Sequence, residues 1–160
     1  MQRLQSIVRE DAAAAKIEFA LSAMVLLMVL FGVMEVARAG YCFHFVSYAA
    51  QQGTRYATVR GASWGTSCSS ATSVGCTASQ ANVQSFIQGL AVPGITAGNI
   101  TVTPSWPGKT LSGSTTGCSN AKSAGCLVQV KVSYSFNFIM AYMPQSAIRF
   151  TGTSEAVIQR

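Results

Sequence analysis

Ionisable side chains are scarce in this chain, and acids are especially scarce. Of 160 residues only five are Asp or Glu and one is His, and no Asp follows Asp11. A hydrolytic triad, a catalytic carboxylate pair or a metal cluster needs several such groups together, and this set does not supply them. The Ser and Thr residues have no base to activate them. The sequence therefore predicts a protein that is not an enzyme and uses no cofactor, metal or small-molecule substrate.

Clusters of basic residues are also missing. The Lys and Arg residues give a net charge of +6, but they are scattered from Arg3 to Arg160 with no run of three. A nucleic-acid interface needs clustered bases with interleaved aromatic residues. We therefore expect no nucleic-acid partner. The basic balance suits an anionic membrane surface only loosely.

What the chain does have is a long apolar run near its N-terminus. From Phe19 to Met34 there is no charged residue, and Leu, Met, Val and Phe dominate. As a helix this run covers about 24 Å, and continuation to Tyr41 spans a hydrocarbon core of about 30 Å. The run is longer than the roughly 7–15 apolar residues of a secretory signal, and no good signal-peptidase site follows it. We expect the helix to remain as a membrane anchor.

Three acidic or basic residues lie where this helix would enter and leave the membrane. Glu35 and Arg38 are three residues apart, so they share a helix face and can form an ion pair at the membrane boundary. Glu18 has no such partner, because Lys16 projects from a different face. An unpaired carboxylate entering a bilayer is costly and usually functional. Glu18 is therefore either a carboxylate at the interface without a role or one with a specific task.

Three segments follow one another between Ala12 and Gly61, with the sequences AAAAKIEFAL, LFGVMEVARAGY and VSYAAQQGTRYATVRG. Together they resemble the TadE-like pseudopilins of the tight-adherence (Flp) pilus system. In that family Val-Glu-Phe precedes the apolar helix, and F-G-x-x-E-x-x-R and A-A-x-x-G-A-R-Y-A segments follow. The matching residues here are Ile17-Glu18-Phe19, Phe31-Gly32 with Glu35 and Arg38, and Ala49-Ala50 with Gly53, Arg55, Tyr56 and Ala57.

The resemblance implies roles for particular residues. A prepilin peptidase would cut between Ala13 and Ala14, which makes Glu18 the fifth mature residue. The family's leader ends in Gly where this chain has Ala13, and Lys16 replaces a small or apolar residue. After cleavage Glu18, next to Phe19, would pair with the freed N-terminal amine within or between subunits. Such a pair would set the axial stagger of neighbouring subunits.

The expected fold is α+β, with a long transmembrane, pilin-like helix and a small extracytoplasmic domain. Residues 1–13 would be a cytoplasmic leader, 14–60 the membrane-spanning and extended helix, and 61–160 a periplasmic α+β domain. The short basic N-terminus indicates a single-pass protein of the bacterial inner membrane with that terminus in the cytoplasm. Incorporation into the pilus is compatible with this topology.

The expected function is that of a minor pilin-like component of pilus assembly, which supports surface adhesion and biofilm formation. Expected partners are the membrane, the prepilin peptidase as processing enzyme, other pilin-like subunits and the pilus assembly platform. The alternative is a membrane-anchored adhesion or binding module that is not built into a pilus. The two differ in whether the leader and Glu18 are needed.

Periodicity predicts the elements that follow the apolar run. Helical spacing continues to Arg60, with a stripe of small residues that indicates close packing on its own domain or on a neighbouring helix; the stripe is Val46, Ala49, Ala50, Gly53 and Ala57. A short amphipathic helix is expected at 78–90, capped by Ser79. Alternation predicts strands at 99–105, 127–138 and 148–158, with Pro104 at the end of the first. A Met-rich turn is expected at 140–144.

Four cysteines lie in two loops rich in Ser, Gly and Thr. Seven residues separate Cys68 from Cys76, and seven separate Cys118 from Cys126. This spacing is too long for a zinc knuckle, which favours two to four intervening residues. Four cysteines permit three disulfide pairings, and we favour the two local ones in an oxidising compartment. Cys42 is left over, either facing lipid or bridging two subunits.

Overall fold

The computed structural model describes residues 2–67, 77–140 and 146–159, with backbone alone for 2–13 and 65–67. Its α-helices are α1 (Gln2–Thr58) and α2 (Gln80–Gly89), and its strands are β1 (Ile100–Ser105), β2 (Leu127–Phe136) and β3 (Ile148–Val157). Two short 3-10 helices, Ala62–Ser67 and Ala97–Asn99, connect them. The predicted α+β class, with a long apolar helix, a short helix and three antiparallel strands, is confirmed. Most of the turn expected at 140–144 lies outside the described residues.

The chain divides into two compact units, Met1–Arg38 and Ala39–Arg160. The first unit is the N-terminal part of α1. From Ala14 to Met34 each side chain is exposed or half-exposed, although most are apolar. A helix that is apolar on all sides must be covered by other protein or by lipid. The described part of α1 is long and apolar enough to cross a membrane.

The second unit is built on a three-stranded antiparallel sheet of order β1-β2-β3. Val132 of β2 lies opposite Val102 of β1 and Gly152 of β3. Alternate residues of β2 are buried, which is why the period-two pattern located the strand; they are Val128, Val130, Val132, Tyr134 and Phe136. This face of the sheet forms much of the core.

The predicted end of β2 was wrong. β2 ends at Phe136 rather than Phe138, whose ring instead packs edge-on against Phe136 at a centroid distance of 5.2 Å. β1 ends at Ser105 as predicted, and Pro104 lies within it, opposite Val130. Because β1 is an edge strand, a residue without an N–H is tolerated where no further strand needs that donor.

The short helix α2 begins as the sequence predicts. The Asn82 amide donates to the Ser79 hydroxyl oxygen at 3.2 Å, so Ser79 is the N-cap. Val83 and Ile87 are fully buried on the side that faces the core. Their four-residue spacing places both on one helix face, so α2 covers the core with a single apolar stripe.

The C-terminal part of α1 packs closely into this domain through its small residues. Val46, Ala49, Ala50 and Ala57 are buried. A Cβ at Gly53 would approach Ile87 Cδ1 to 2.5 Å, and one at Gly152 would approach the Val46 carbonyl oxygen to 2.8 Å. The helix therefore comes nearer to α2 and β3 than larger residues would allow. Of the two predicted roles of this stripe of small residues, the structure shows packing of the helix on the protein's own domain.

Both predicted positions of Cys42, facing lipid or bridging two subunits, were wrong. Cys42 is 3 % exposed and belongs to the hydrophobic core of the second unit. Its thiol therefore neither faces lipid nor lies on a surface from which it could bridge two subunits. A small, weakly polar side chain suits this place, where α1 enters the core.

Candidate functional site

The predicted processing point lies within a continuous helix. Ala13 and Ala14 are both part of α1, which runs without interruption from Gln2. The Ala14 side chain is exposed. Among the described side chains within three residues of Ala14, the charged one is Lys16, which is exposed.

The candidate assembly residues Glu18 and Phe19 project from the exposed surface of the first unit. Phe19 is among its most exposed large apolar residues, and the Glu18 carboxylate is exposed as well. Glu18 forms no ion pair with any described side chain, Lys16 included. A single acid thus interrupts a helix surface that is otherwise apolar from Ile17 to Met34. In lipid such a group needs a positively charged partner from elsewhere.

The second pair of candidate residues is in direct contact. Arg38 Nη1 donates to Glu35 Oε2 at 2.7 Å, as their spacing predicts. Glu35 is 3 % exposed, whereas the Arg38 side chain is about one-third exposed. The Arg38 guanidinium offsets part of the cost of burying this carboxylate. Seventeen residues of helix, about 26 Å, separate Glu35 from Glu18, so these acids form two separate sites.

One of the two predicted disulfides is confirmed, since Cys118 and Cys126 are bonded. Cys68 and Cys76 lie outside the described residues. The confirmed disulfide anchors its loop beside the end of the sheet, where the Ile158 amide donates to the Cys126 carbonyl and the Gly125 amide donates to the Ile158 carbonyl, both at 2.8 Å. This loop is therefore a fixed part of the domain surface.

Cation–π contacts of Arg60 and Lys122 stabilise the same end of the domain. The Arg60 guanidinium lies 3.9 Å from the centre of the Tyr56 ring, which stacks on Phe86. Lys122 Nζ lies 4.4 Å from the centre of the Trp106 ring and donates to the Ala78 carbonyl at 2.8 Å. These basic side chains join loops and helices within the domain, which gives them a structural role.

Sequence reasoning missed an apolar groove of about 240 Å³ on the second unit. Its walls come from α1 and from the segment after α2; they are Tyr41, His44, Phe45, Tyr48, Leu90 and Val92. In the sequence, the aromatic residues that follow the apolar run were the signal from which one wall of this groove could have been predicted. The second wall could not be found from the sequence, because its residues are distant along the chain.

The described residues contain no group of three or more His, Cys, Asp or Glu side chains that could hold a metal ion. These residues instead form an exposed apolar helix with one acid, an ion pair with a buried carboxylate, and a small domain with a disulfide-closed loop. This combination defines a class of protein with one helix of membrane-spanning length and a small α+β domain.

Comparison with known families refines this class. The model of the TadE-like protein family matches residues 13–55, which include Ala13, Glu18 and the Glu35–Arg38 pair. The chain is therefore similar to this family over most of α1, and the family is associated with the tight-adherence pilus. The comparisons with curated proteins and with solved structures found no match.

Proposed function

We propose that this protein is a minor pilin-like component, a pseudopilin, of tight-adherence pilus assembly. It acts without catalysis, through contacts between helices, and supports surface adhesion and biofilm formation. The observation that carries this proposal is Glu18, a lone exposed acid on an apolar helix surface within the TadE-like segment. A plain anchor has no use for that acid, because a charge near the bilayer edge weakens insertion.

The proposed role of Glu18 depends on processing of the chain. Cleavage between Ala13 and Ala14 by a prepilin peptidase frees an amine four residues before Glu18. An ionised group within a bilayer costs about 3 kcal/mol on insertion scales, and a neighbouring opposite charge offsets part of that cost. Pairing of the Glu18 carboxylate with the amine of the same or a neighbouring subunit would favour one axial register between helices.

The proposed topology places the N-terminus in the cytoplasm and the second unit in the periplasm of a single-pass inner-membrane protein. The bases Arg3, Arg9 and Lys16 before the apolar run favour this orientation. The Cys118–Cys126 disulfide supports it independently, since disulfides persist in the oxidising periplasm. Other pilin-like subunits and the pilus assembly platform are the proposed partners of the inserted protein.

The test of this function is the N-terminus of the protein extracted from membranes. We expect the intact mass to correspond to a chain that begins at Ala14, or at a neighbouring residue of the Ala12–Ala15 run. In a strain without the prepilin peptidase the same protein should keep Met1. An unprocessed chain in both strains would contradict the proposal and leave a membrane-anchored adhesion module.

A further inference from the structure

Four of the exposed apolar or aromatic side chains of the second unit come from its first residues, from the segment after α2 and from the start of β3. They are Tyr41, Phe43, Val92 and Ile148, named here the rim, with exposed fractions between 38 % and 54 %. Tyr41 and Val92 line the same groove. Phe43 contacts the Phe150 ring edge-on at a centroid distance of 6.2 Å, two residues along β3 from Ile148. The rim therefore draws on α1, on the segment after α2, and on β3.

The rim cannot lie far from the apolar run. Seven residues lead from Met34, the last residue of that run, to Tyr41. Even a fully extended chain of this length reaches only about 25 Å, and a helix reaches about 10 Å. If the apolar run crosses a bilayer, Tyr41 lies at or near the layer of lipid headgroups. Val92, from a second segment of the domain, lines the same groove as Tyr41.

The chemistry of the rim suits this layer. Tyrosine places its ring among apolar groups and its hydroxyl in water, and it is enriched at membrane interfaces. Exposed Val, Ile and Phe are costly in water but favourable at the boundary between headgroups and acyl chains. From residue 39 to residue 160 the chain has seven Lys or Arg residues and one acid, Glu155. Arg149 is next to Ile148 of the rim in β3, so a basic side chain is available to anionic headgroups there.

We propose that the rim is a membrane seat, by which the second unit rests on the bilayer surface from which α1 emerges. The ligand is the interfacial layer of an anionic bilayer rather than a second copy of the chain. This inference rests on the membrane anchoring that the proposed function assumes. It adds that the folded domain itself inserts side chains into lipid, so that removal of the subunit into a filament must also detach the domain.

Quenching by lipid tests this seat on the full chain. Val92→Trp and Ile148→Trp variants are reconstituted into phosphatidylcholine–phosphatidylglycerol vesicles whose acyl chains carry bromine near the headgroups. The parent protein, with Trp64 and Trp106, supplies the baseline. We expect the added emission at both positions to fall about twofold or more, since interfacial side chains penetrate about 5–10 Å. Tyr41→Trp provides a third position with a conservative change.

Two further variants serve as controls. Leu111 is 79 % exposed. It lies near the start of β2, where the Lys109 carbonyl oxygen accepts a hydrogen bond from the Leu127 amide. The ten residues of β2 separate that end from Ile148 by about 30 Å, so Leu111→Trp should not be quenched beyond the parent. Val25→Trp, in the apolar run, reports insertion of α1 itself and should be quenched by bromine deeper in the chains.

The outcomes separate this inference from the proposed function. Quenching at 25 but not at 92 or 148 overturns the membrane seat and leaves the anchor intact. A blue-shifted but unquenched emission at 92 or 148 also overturns it, because protein rather than lipid then covers the rim. Absence of quenching at 25 refutes the anchor and the seat together. Unchanged thermal unfolding of each variant shows that its fold is retained.

Discussion

At the scale of single residues, the ion pair between Glu35 and Arg38 shows how burial raises the energetic importance of a charged side chain. Its i, i+3 spacing was readable in the sequence, and the contact at 2.7 Å is present. The near-complete burial of Glu35 was not readable, because it depends on the folded structure around one face of α1. Buried carboxylates need compensation, so Arg38 should matter more than its partly exposed position suggests.

Removal of Arg38 alone should therefore lower the free energy of unfolding more than removal of both charges does. Arg38→Met leaves the Glu35 carboxylate buried without this partner, and we expect the free energy of unfolding to fall by about 1–3 kcal/mol. The double variant Glu35→Gln/Arg38→Met should recover most of that loss. Chemical denaturation of the detergent-solubilised protein measures both.

Lys131→Met, at an exposed position of β2, is the matched control for loss of a basic residue and should leave stability nearly unchanged. Equal stability of the single and the double variant would show that the pair does not compensate a buried charge.

At the scale of elements, the close approach of α1 to β3 depends on Gly152. A Cβ there would meet backbone atoms of Val46 and Ser47 at 2.8–3.0 Å, and backbone cannot move as a side-chain end can. Gly152→Ala should therefore lower the free energy of unfolding by about 1–3 kcal/mol through overpacking. Gly89→Ala, with nothing within 4 Å of the added Cβ, should be neutral or slightly stabilising.

Thermal unfolding of the two variants provides the comparison. A Gly152→Ala protein as stable as the Gly89→Ala protein would mean that α1 can withdraw from the sheet at little cost. The description of a tightly packed helix and sheet would then be incorrect.

The disulfide-bonded loop between the first and second strands of the sheet offers a separate test. Replacement of Cys118 by Ser and Cys126 by Ala opens a loop with a sequence separation of 8. In the chain-entropy model this loss costs about 2–3 kcal/mol. Denaturation under non-reducing conditions should show that difference between parent and variant. The difference should vanish when both are measured with reductant, and its persistence would point to packing of the cysteines instead.

The sequence was most informative about elements whose pattern is local. Alternation located β2 and β3 to within two residues, and Ser79 was identified as the cap of α2. The errors came from context, since Cys42 is buried because distant residues cover it. The groove was missed for the same reason. Of the two local cysteine pairs predicted from their spacing, Cys118–Cys126 is confirmed.

At the scale of the whole molecule, two units with different surfaces are joined in one chain. The described side chains of the first are mostly apolar and exposed from Ile17 to Met34, and the second has a covered core and a basic balance. The TadE-like match lies over the helix and not over residues 56–160. Under the proposed function, we expect the helix to carry what the protein shares with pilin-like subunits, and the domain to carry what is particular to this protein.

The central claim is that Glu18 acts in assembly rather than in anchoring. Glu18→Ala removes the carboxylate that would meet the freed amine, so assembly should fail while insertion is retained or improved. Glu18→Asp keeps the charge with a shorter reach and should retain part of the function. Lys16→Ala, also at an exposed charged position, is the matched control and should assemble normally.

The most direct measurement is filament production in a strain that lacks the chromosomal copy and is complemented with each variant, with membrane levels of the protein quantified in parallel. We predict that Glu18→Ala reaches normal membrane levels and yields few or no filaments, whereas Lys16→Ala yields them at the parental level. Parental filament production by Glu18→Ala at normal protein levels would contradict the account.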